Sequence, residues 1–393
     1  MNNEIVILSA IRTPMGGFLG ELKPFSATEL GSFAIQEAVK QAGIESDQVE
    51  QVLMGCVLTA GQGQAPARQA TLKAGLNVSV ACTTLNKVCG SGLQSIIFAK
   101  NLIETRQAQV VIAGGMESMS NTPYLLQHAR AGYRIGHGKV LDHMFLDGLE
   151  DAYQAGRLMG TFAEDSAAHY QLSRQQQDHF AMTSLQRARD AIETNKFKAE
   201  IVPLTVHHKN QEQIIEQDEQ PLKAKPEKIP QLKPAFSSSG TITAANASSI
   251  SDGAAALVLS SKHYAKSQGL KSLARIIGQT SYAGEPHLFT TAPVYAIQKL
   301  LKQCDWSIDQ VDLFEINEAF AIVPMIAMQE LGIPHAKLNV HGGACALGHP
   351  LGTSGARIVV TLIHTLRQRQ LKRGIAAICI GGGEALAVAI EID

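Results

Sequence analysis

Residues 34–58, AIQEAVKQAGIESDQVEQVLMGCVL, align without a gap on residues 296–320, AIQKLLKQCDWSIDQVDLFEINEAF. Lys40/Lys302, Gln41/Gln303, Asp47/Asp309, Gln48/Gln310 and Val49/Val311 are identical pairs. Each copy reads as an amphipathic helix, a polar turn and a short apolar strand. GSGLQSIIFAKNLI (90–103) then corresponds to TSGARIVVTLIHTL (353–366), a glycine turn opening a helix. VVIAGGMES (110–118) corresponds to AAICIGGGEA (376–385), a buried strand running into glycines, which sets Cys379 opposite Ile112. A chain that repeats strand, helix, strand, helix, strand in register is expected to fold as two similar α/β halves. Its continuously apolar strands call for sheets covered by helices.

Between the halves, residues 121–246 are richer in His, Gln, Lys and Asp. RQQQDHFAMTSLQRARDAIET predicts one helix there, and QDEQPLKAKPEKIPQLKPAF a polar, proline-punctuated run. Periodic apolar residues make this stretch an inserted subdomain, and insertions on a rigid scaffold often carry recognition. The expected division is a first half over 1–120, completed by about 247–270, the insertion at 121–246 and a second half over 271–393.

Composition narrows the function. A net charge of −1 over 393 residues gives no reason to expect nucleic acid or an anionic membrane as partner. No apolar run reaches the length of a membrane span, and MNNEIVILSAIRTP reads as a strand entering a turn with no leader pattern. Six cysteines in a chain this long fit a reducing, cytoplasmic compartment, where a thiol is a core filler, a ligand or a nucleophile.

Four stretches could carry chemistry. In NKVCGSG, Cys89 stands before a helix start, where the backbone dipole would favour thiolate, and Gly90 and Gly92 would let another molecule approach. In HGGACALGHPLGTSGAR, His349 lies in a Gly–Pro loop facing a helix start, a position suited to a base. His341, Cys345 and His349 are spaced four apart, but the glycines and proline argue against the helix that would group them as metal ligands, and no metal is expected. In CIGGGEA and NEAFA, Cys379 and the pair Asn317–Glu318 break the shared pattern of the two copies, and such breaks mark candidate sites.

These motifs, with GGMESMS at 114–120, resemble the thiolase family nearly end to end, and within it the acetyl-CoA acetyltransferase branch. The resemblance implies duplicated βαβαβαββ halves in a layered α/β/α/β/α core, with an inserted loop subdomain. It implies a reversible Claisen condensation of two acetyl-CoA to acetoacetyl-CoA and CoA, or thiolysis in reverse. Cys89 would carry the acyl group, His349 take its proton, and Cys379 abstract the α-proton of the second acetyl-CoA. Asn317 would hold a water that, with His349, faces the enolate oxygen. Backbone N–H groups of Cys89 and Gly381 would face the oxyanion of the Cys89 adduct. KVLDHMFLDGLEDAYQAGRLMG resembles the substrate loop and TITAANASSISDGAAALVL the CoA-contacting segment. Ser248, Met159, Ala319, Phe320 and Phe289 are the CoA- or acyl-binding residues so implied. No cofactor beyond the CoA substrates is implied. The tyrosine that accompanies potassium activation in one mitochondrial subgroup is not evident near QDEQP, which leaves potassium open.

The chain departs from the family pattern in three places. Leu158 stands where many members have histidine, FTTAP (289–293) where many read Met-Gly-Thr-Gly-Pro, and Glu384 follows the triple glycine. The first two bear on the shape of the acyl pocket, which keeps a longer-chain 3-ketoacyl-CoA thiolase as the alternative. A β-ketoacyl synthase would carry a histidine in place of NEAF and would not need Cys379. A hydroxymethylglutaryl-CoA synthase would need a catalytic glutamate near Cys89. A CoA-binding scaffold would have lost site residues that are all present here. Thiolase relatives pair through a strand edge of the first half and form tetramers through the insertion. A homodimer or homotetramer is therefore expected, with LLQHARAGYRIGHGKVLDH as the tetramer contact.

Overall fold

The computed structural model describes residues 4–208 and 211–393. Strand β1 (Ile5–Arg12) leads to helix α1 (Ala27–Ala42), strand β2 (Gln51–Gly55), helix α2 (Pro66–Lys73), strand β3 (Ala81–Leu85), helix α3 (Ser91–Glu104) and strand β4 (Val110–Ser118). The insertion follows, with a hairpin (Tyr124–Leu126 with Val140–Asp142), helices α4 (Met159–His169) and α5 (Arg174–Glu193), and a second hairpin, Leu204–His208 with Gln211–Ile215. Strand β5 (Ser251–Ser261) then returns to pair antiparallel with both β1 and β4. The second half runs β6 (Ala274–Ala283), α6 (Ala292–Cys304), β7 (Leu313–Ile316), α7 (Ile322–Leu331), α8 (Leu351–Gln368), β8 (Arg373–Ile380) and β9 (Glu384–Glu391).

The repeat is realised in local detail. α1 and α6 both end on a left-handed residue at equivalent positions, Gly43 (φ 67°) and Asp305 (φ 53°). Such a residue stops the helix and satisfies its last carbonyls. The polar turns that follow are closed by equivalent capping boxes, Glu45 with Gln48 and Ser307 with Gln310. Val49 and Val311 then enter the core.

The strands form one sheet in the order β7-β8-β9-β6-β1-β5-β4-β2-β3, with Gly16–Gly17 pairing off β5. The halves join where Ile5–Ile7 of β1 pair antiparallel with Ala274–Ile276 of β6. The first half shows the expected βαβαβαββ order. Among the described residues the counterpart of β3 in the second half shrinks to a single bridge between Phe314 and Leu338. α3 and α8 lie between the two half-sheets, each touching strands of both. α1 and α2 cover the outer face of the first half, and α6 that of the second.

Gly92 and Gly355 occupy equivalent positions in the repeat, and each meets the other's helix. A Cβ on Gly92 would lie 2.8 Å from Ala356 N, and one on Gly355 2.4 Å from Leu93 N. This corrects the reading of the NKVCGSG glycines. Gly92 admits α8, and Gly90, whose Cβ would lie 2.4 Å from Ile380 Cδ1, admits the end of β8. They serve close packing of the two halves, with no room for a ligand.

A second correction concerns Cys379. Parallel pairing sets Met54 beside Gly114 and the equivalent Ile316 beside Ala377, so the counterpart of Cys379 is Met116 and not Ile112. The two glycine runs looked alike but do different work. Gly114 and Gly115 lie inside β4, where a Cβ would come within 2.0 Å of Ala255 O and 1.9 Å of Gly352 O. Gly381–Gly383 instead form the turn between β8 and β9.

Candidate active site

Cys89 precedes α3, whose N-cap is Gly90. Val88 before it has φ 46°, a strained conformation for a β-branched residue. The loop is held there by three bonds. Val88 N donates to Asn86 Oδ1 (2.8 Å), Lys87 N donates to Ser91 Oγ (2.8 Å), and Ser91 Oγ donates to Val88 O (2.7 Å). The sulfur receives the backbone N–H groups of Gly381 and of Cys89 itself. These favour thiolate, but burial wins and pushes the thiol up to about 11. The dipole-based expectation of a lowered pKa is therefore overturned. At neutral pH Cys89 is a thiol and needs a base.

His349 is placed to be that base. Its N–H donates to Ser249 O (3.1 Å), and its Nδ1 bonds Ser354 Oγ. Ser354 Oγ donates its own proton to Pro350 O (2.9 Å), so Nδ1 must carry the proton that joins the pair. Nε2 is then left as an acceptor, buried and without a partner among the described residues. Burial, reinforced by the charge of Arg357, lowers the imidazole to about 3, so it is neutral at physiological pH. His341 bonds Thr365, and among the described residues no three His, Cys, Asp or Glu side chains gather as a metal site.

Cys379 is the next-to-last residue of β8, 1% exposed. Its thiol is raised well above the ordinary value, by burial first and by the charge of Cys89 second. The turn beyond it needs glycine: Gly382 and Gly383 have φ 94° and 85°, and a Cβ on Gly383 would lie 2.4 Å from Glu285 O.

Asn317 follows β7, its N–H bonded to Ala377 O (3.0 Å) and its Nδ2 buried without a partner among the described residues. Its neighbour Glu318 has a different task. It accepts from Ser184 Oγ (2.8 Å), Asn339 Nδ2 (2.8 Å) and Cys345 N (3.0 Å), tying the end of β7 to α5 and to the loop that carries His349. The sequence marked both as departures from the repeat. Asn317 alone keeps a free polar group.

Cys89, His349, Cys379 and Gly381 line one cavity of about 470 Å³. Ser248, Met159, Ala319, Phe320 and Phe289 line it too. Ser248 donates both its N–H and its hydroxyl to Ala319 O (3.0 Å each), fastening the segment before β5 to the NEAF loop. Leu158, where many members have histidine, gives the wall an apolar side chain. Phe320 meets Phe236 and Phe289 edge-on, with centroids 5.9 and 6.3 Å apart.

Several contributors escaped sequence reasoning. Phe145, Leu149 and Phe236, all from the insertion, complete the apolar wall. The substrate-loop motif contains the first two, but only packing shows that they face the cavity. Ser354, which sets the tautomer of His349, lies five residues on, across the start of α8. Glu117, within GGMESMS, accepts from Val57 N (3.0 Å), Leu58 N (3.1 Å) and Gly352 N (2.8 Å), and so braces the start of α8 beside His349. Burial outweighs these donors and raises its carboxyl to about 7.

Two thiols, a neutral histidine and paired backbone donors in one apolar cavity can exchange an acyl group and move a proton to or from carbon. The thiolase N-terminal domain matches residues 5–263 and the thiolase C-terminal domain residues 270–392. The chain belongs to the thiolase family, a family of acyltransferases. An acetyl-CoA acetyltransferase of Pseudomonas aeruginosa is 46% identical over 99% of this chain and all of its own length. One of Schizosaccharomyces pombe is 45% identical over 100% of this chain and 99% of its own. The crystal structure of the Bacillus anthracis acetyl-CoA acetyltransferase matches over the whole of both chains, with TM-score 0.97 and 40% identity.

Proposed function

We propose that the protein is an acetyl-CoA C-acetyltransferase that joins two acetyl-CoA into acetoacetyl-CoA and CoA, and runs the reverse thiolysis. The observation that carries this reading is the convergence of Cys89, Cys379 and the unprotonated Nε2 of His349 on one cavity. The Cys89 sulfur attacks the thioester carbonyl while its proton passes to His349 Nε2. The carbonyl oxygen takes up negative charge against the N–H groups of Cys89 and Gly381. Collapse expels CoA thiolate, which takes the proton back from His349.

Cys379 then passes its own proton to His349 Nε2 and removes an α-proton from the second acetyl-CoA, and the enolate oxygen faces that Nε2–H and a water on Asn317 Nδ2. The carbanion attacks the acyl carbon, a C–C bond forms, the C–S bond to Cys89 breaks, and the Cys89 thiolate takes the proton from His349. Acylation prepares this second stage. An acylated Cys89 carries no charge, so Cys379 ionises without a neighbouring thiolate to oppose it, and His349 is free again to take its proton.

Mixing with acetyl-CoA should release a burst of free CoA thiol equal to the number of sites, and Cys89→Ala should abolish it. A burst that survives in Cys89→Ala would overturn this reading. Rates with acetoacetyl-CoA compared with longer 3-ketoacyl-CoA substrates test the acetyl preference, which rests on the names of the relatives.

The same reading makes the protein a homo-oligomer in a cytoplasmic setting. Support for the compartment comes from six free thiols. No helix among the described residues is long and apolar enough to cross a membrane. Support for assembly comes from two places. β3 ends the sheet order, leaving an edge of the kind that invites pairing. The hairpin at 124–142 exposes Tyr124, Leu126, Ile135 and Val140, with Ile135 93% exposed. Deleting residues 130–139 should yield dimers that still form the acyl-enzyme. Light scattering that finds a wild-type monomer refutes the assembly, and a tetramer that survives the deletion refutes the hairpin's part in it.

A further inference from the structure

The Cys89 loop belongs to the first half and the Gly381 turn to the second, yet both must present an N–H to one sulfur. Each is awkward to hold in place. Val88 is strained, and Gly382 and Gly383 have no side chains to anchor the turn. Gly90 packs on Ile380 beneath them. At the rim, Lys87 forms an ion pair with Glu384, 25% and 35% exposed respectively. Lys87 is two residues before Cys89 and bridged to it along the backbone. Glu384 is three residues after Gly381 and opens β9, where it pairs with Ile380 and Ala283. Neither side chain lines the cavity, so neither is placed to touch substrate.

We propose that Lys87 and Glu384 are positioning residues, whose ion pair clamps the nucleophile loop of one half to the glycine turn of the other and so holds the Gly381 N–H against the Cys89 sulfur. This gives Glu384, a departure from the family pattern, a task. The proposal deepens the acyl-transfer reading and rests on it. The titratable groups that face Cys89 are Glu117, Cys379 and His349, and the clamp leaves all three in place. When the clamp opens, the Gly381 donor moves off and thiolate loses one of the two N–H groups that favour it. The first stage of the reaction, which places charge at the same spot, slows with it.

The test uses Glu384→Gln, Lys87→Met and the exchange Lys87→Glu with Glu384→Lys. Two quantities are measured: the rate of Cys89 alkylation by iodoacetamide across pH, and the rate of acyl-enzyme formation from acetyl-CoA. Both single variants should move the alkylation profile to higher pH and slow acyl-enzyme formation about fivefold, the order expected of a partly exposed ion pair. The exchange should restore both to within about twofold of wild type. Raising salt from about 0.02 to 1 M should slow wild-type acylation and leave Glu384→Gln unaffected, because screening opens a clamp that the variant already lacks.

Profiles that shift in opposite directions in the two single variants would overturn the proposal, since that is the signature of Lys87 charge acting through space. Unchanged single variants, or an exchange no better than either, would overturn it as well. A wild-type protein that is alkylated at Cys89 but forms no acetyl adduct would instead refute the acyltransferase reading. The alkylation comparison does not depend on acetyl-CoA and would still decide the clamp.

Discussion

Cys379→Ser should still form the Cys89 acyl-enzyme within about threefold of the wild-type rate, while condensation falls by at least about 10³-fold. Cys379 sits fully buried at the end of β8, so serine fits its space with little disturbance. What changes is acidity. A thiol raised by burial can still pass its proton to His349, whereas an alcohol at the same place cannot reach its anion. The proposed first stage uses Cys89, His349 and the backbone donors, none of which the substitution touches. Mass spectrometry of the variant after exposure to acetyl-CoA should show one acetyl adduct on Cys89, with no acetoacetyl-CoA released. A folded variant with intact Cys89 and no adduct would mean that the two thiols do not divide the work.

His349→Asn should slow acyl-enzyme formation at neutral pH by about 10²–10³-fold, within the range of a positioned general base. The resting forms are thiol and neutral imidazole, because burial holds Cys89 up near 11 and His349 down near 3. The proton therefore moves as sulfur bonds to carbon, and the variant must find thiolate directly. Below the thiol pKa the thiolate fraction rises about tenfold per pH unit, so the variant should recover steadily from pH 7 to about 10, while wild type changes little. Iodoacetamide reports on the same sulfur without needing acyl-CoA. Alkylation with wild-type rate and pH dependence in the variant would show that His349 does not activate Cys89.

How far the sequence carries depends on whether a property is local. The repeat of α1 and α6 was legible because helix period, capping pairs and a terminal left-handed residue are written in neighbouring residues. Matching glycine runs by letter set Cys379 against Ile112, because glycines inside a strand and glycines after one look identical in a string. The shrinking of the third strand to the bridge at Leu338 was not visible either. Edge strands are defined by what lies beside them, not by their own residues. Asn317 and Glu318 both broke the repeat, and only the three donors around Glu318 separate a brace from a free amide.

From its residues alone this chain declared two α/β halves, an insertion, and the thiols and histidine that are its candidates for chemistry. Patterns of residue type decide those matters, and they survive without coordinates. Tertiary structure decided the rest. Gly92 and Gly355 proved to be the place where α3 and α8 touch, because only in three dimensions do two distant glycines share one contact. The thiol that a helix start should have acidified is instead raised, because the loss of water around a buried sulfur outweighs two N–H groups. The proton of His349 sits on Nδ1 because Ser354 spends its own on Pro350. Protonation is set by desolvation and by hydrogen bonds that cross between elements, and neither exists until the chain has folded.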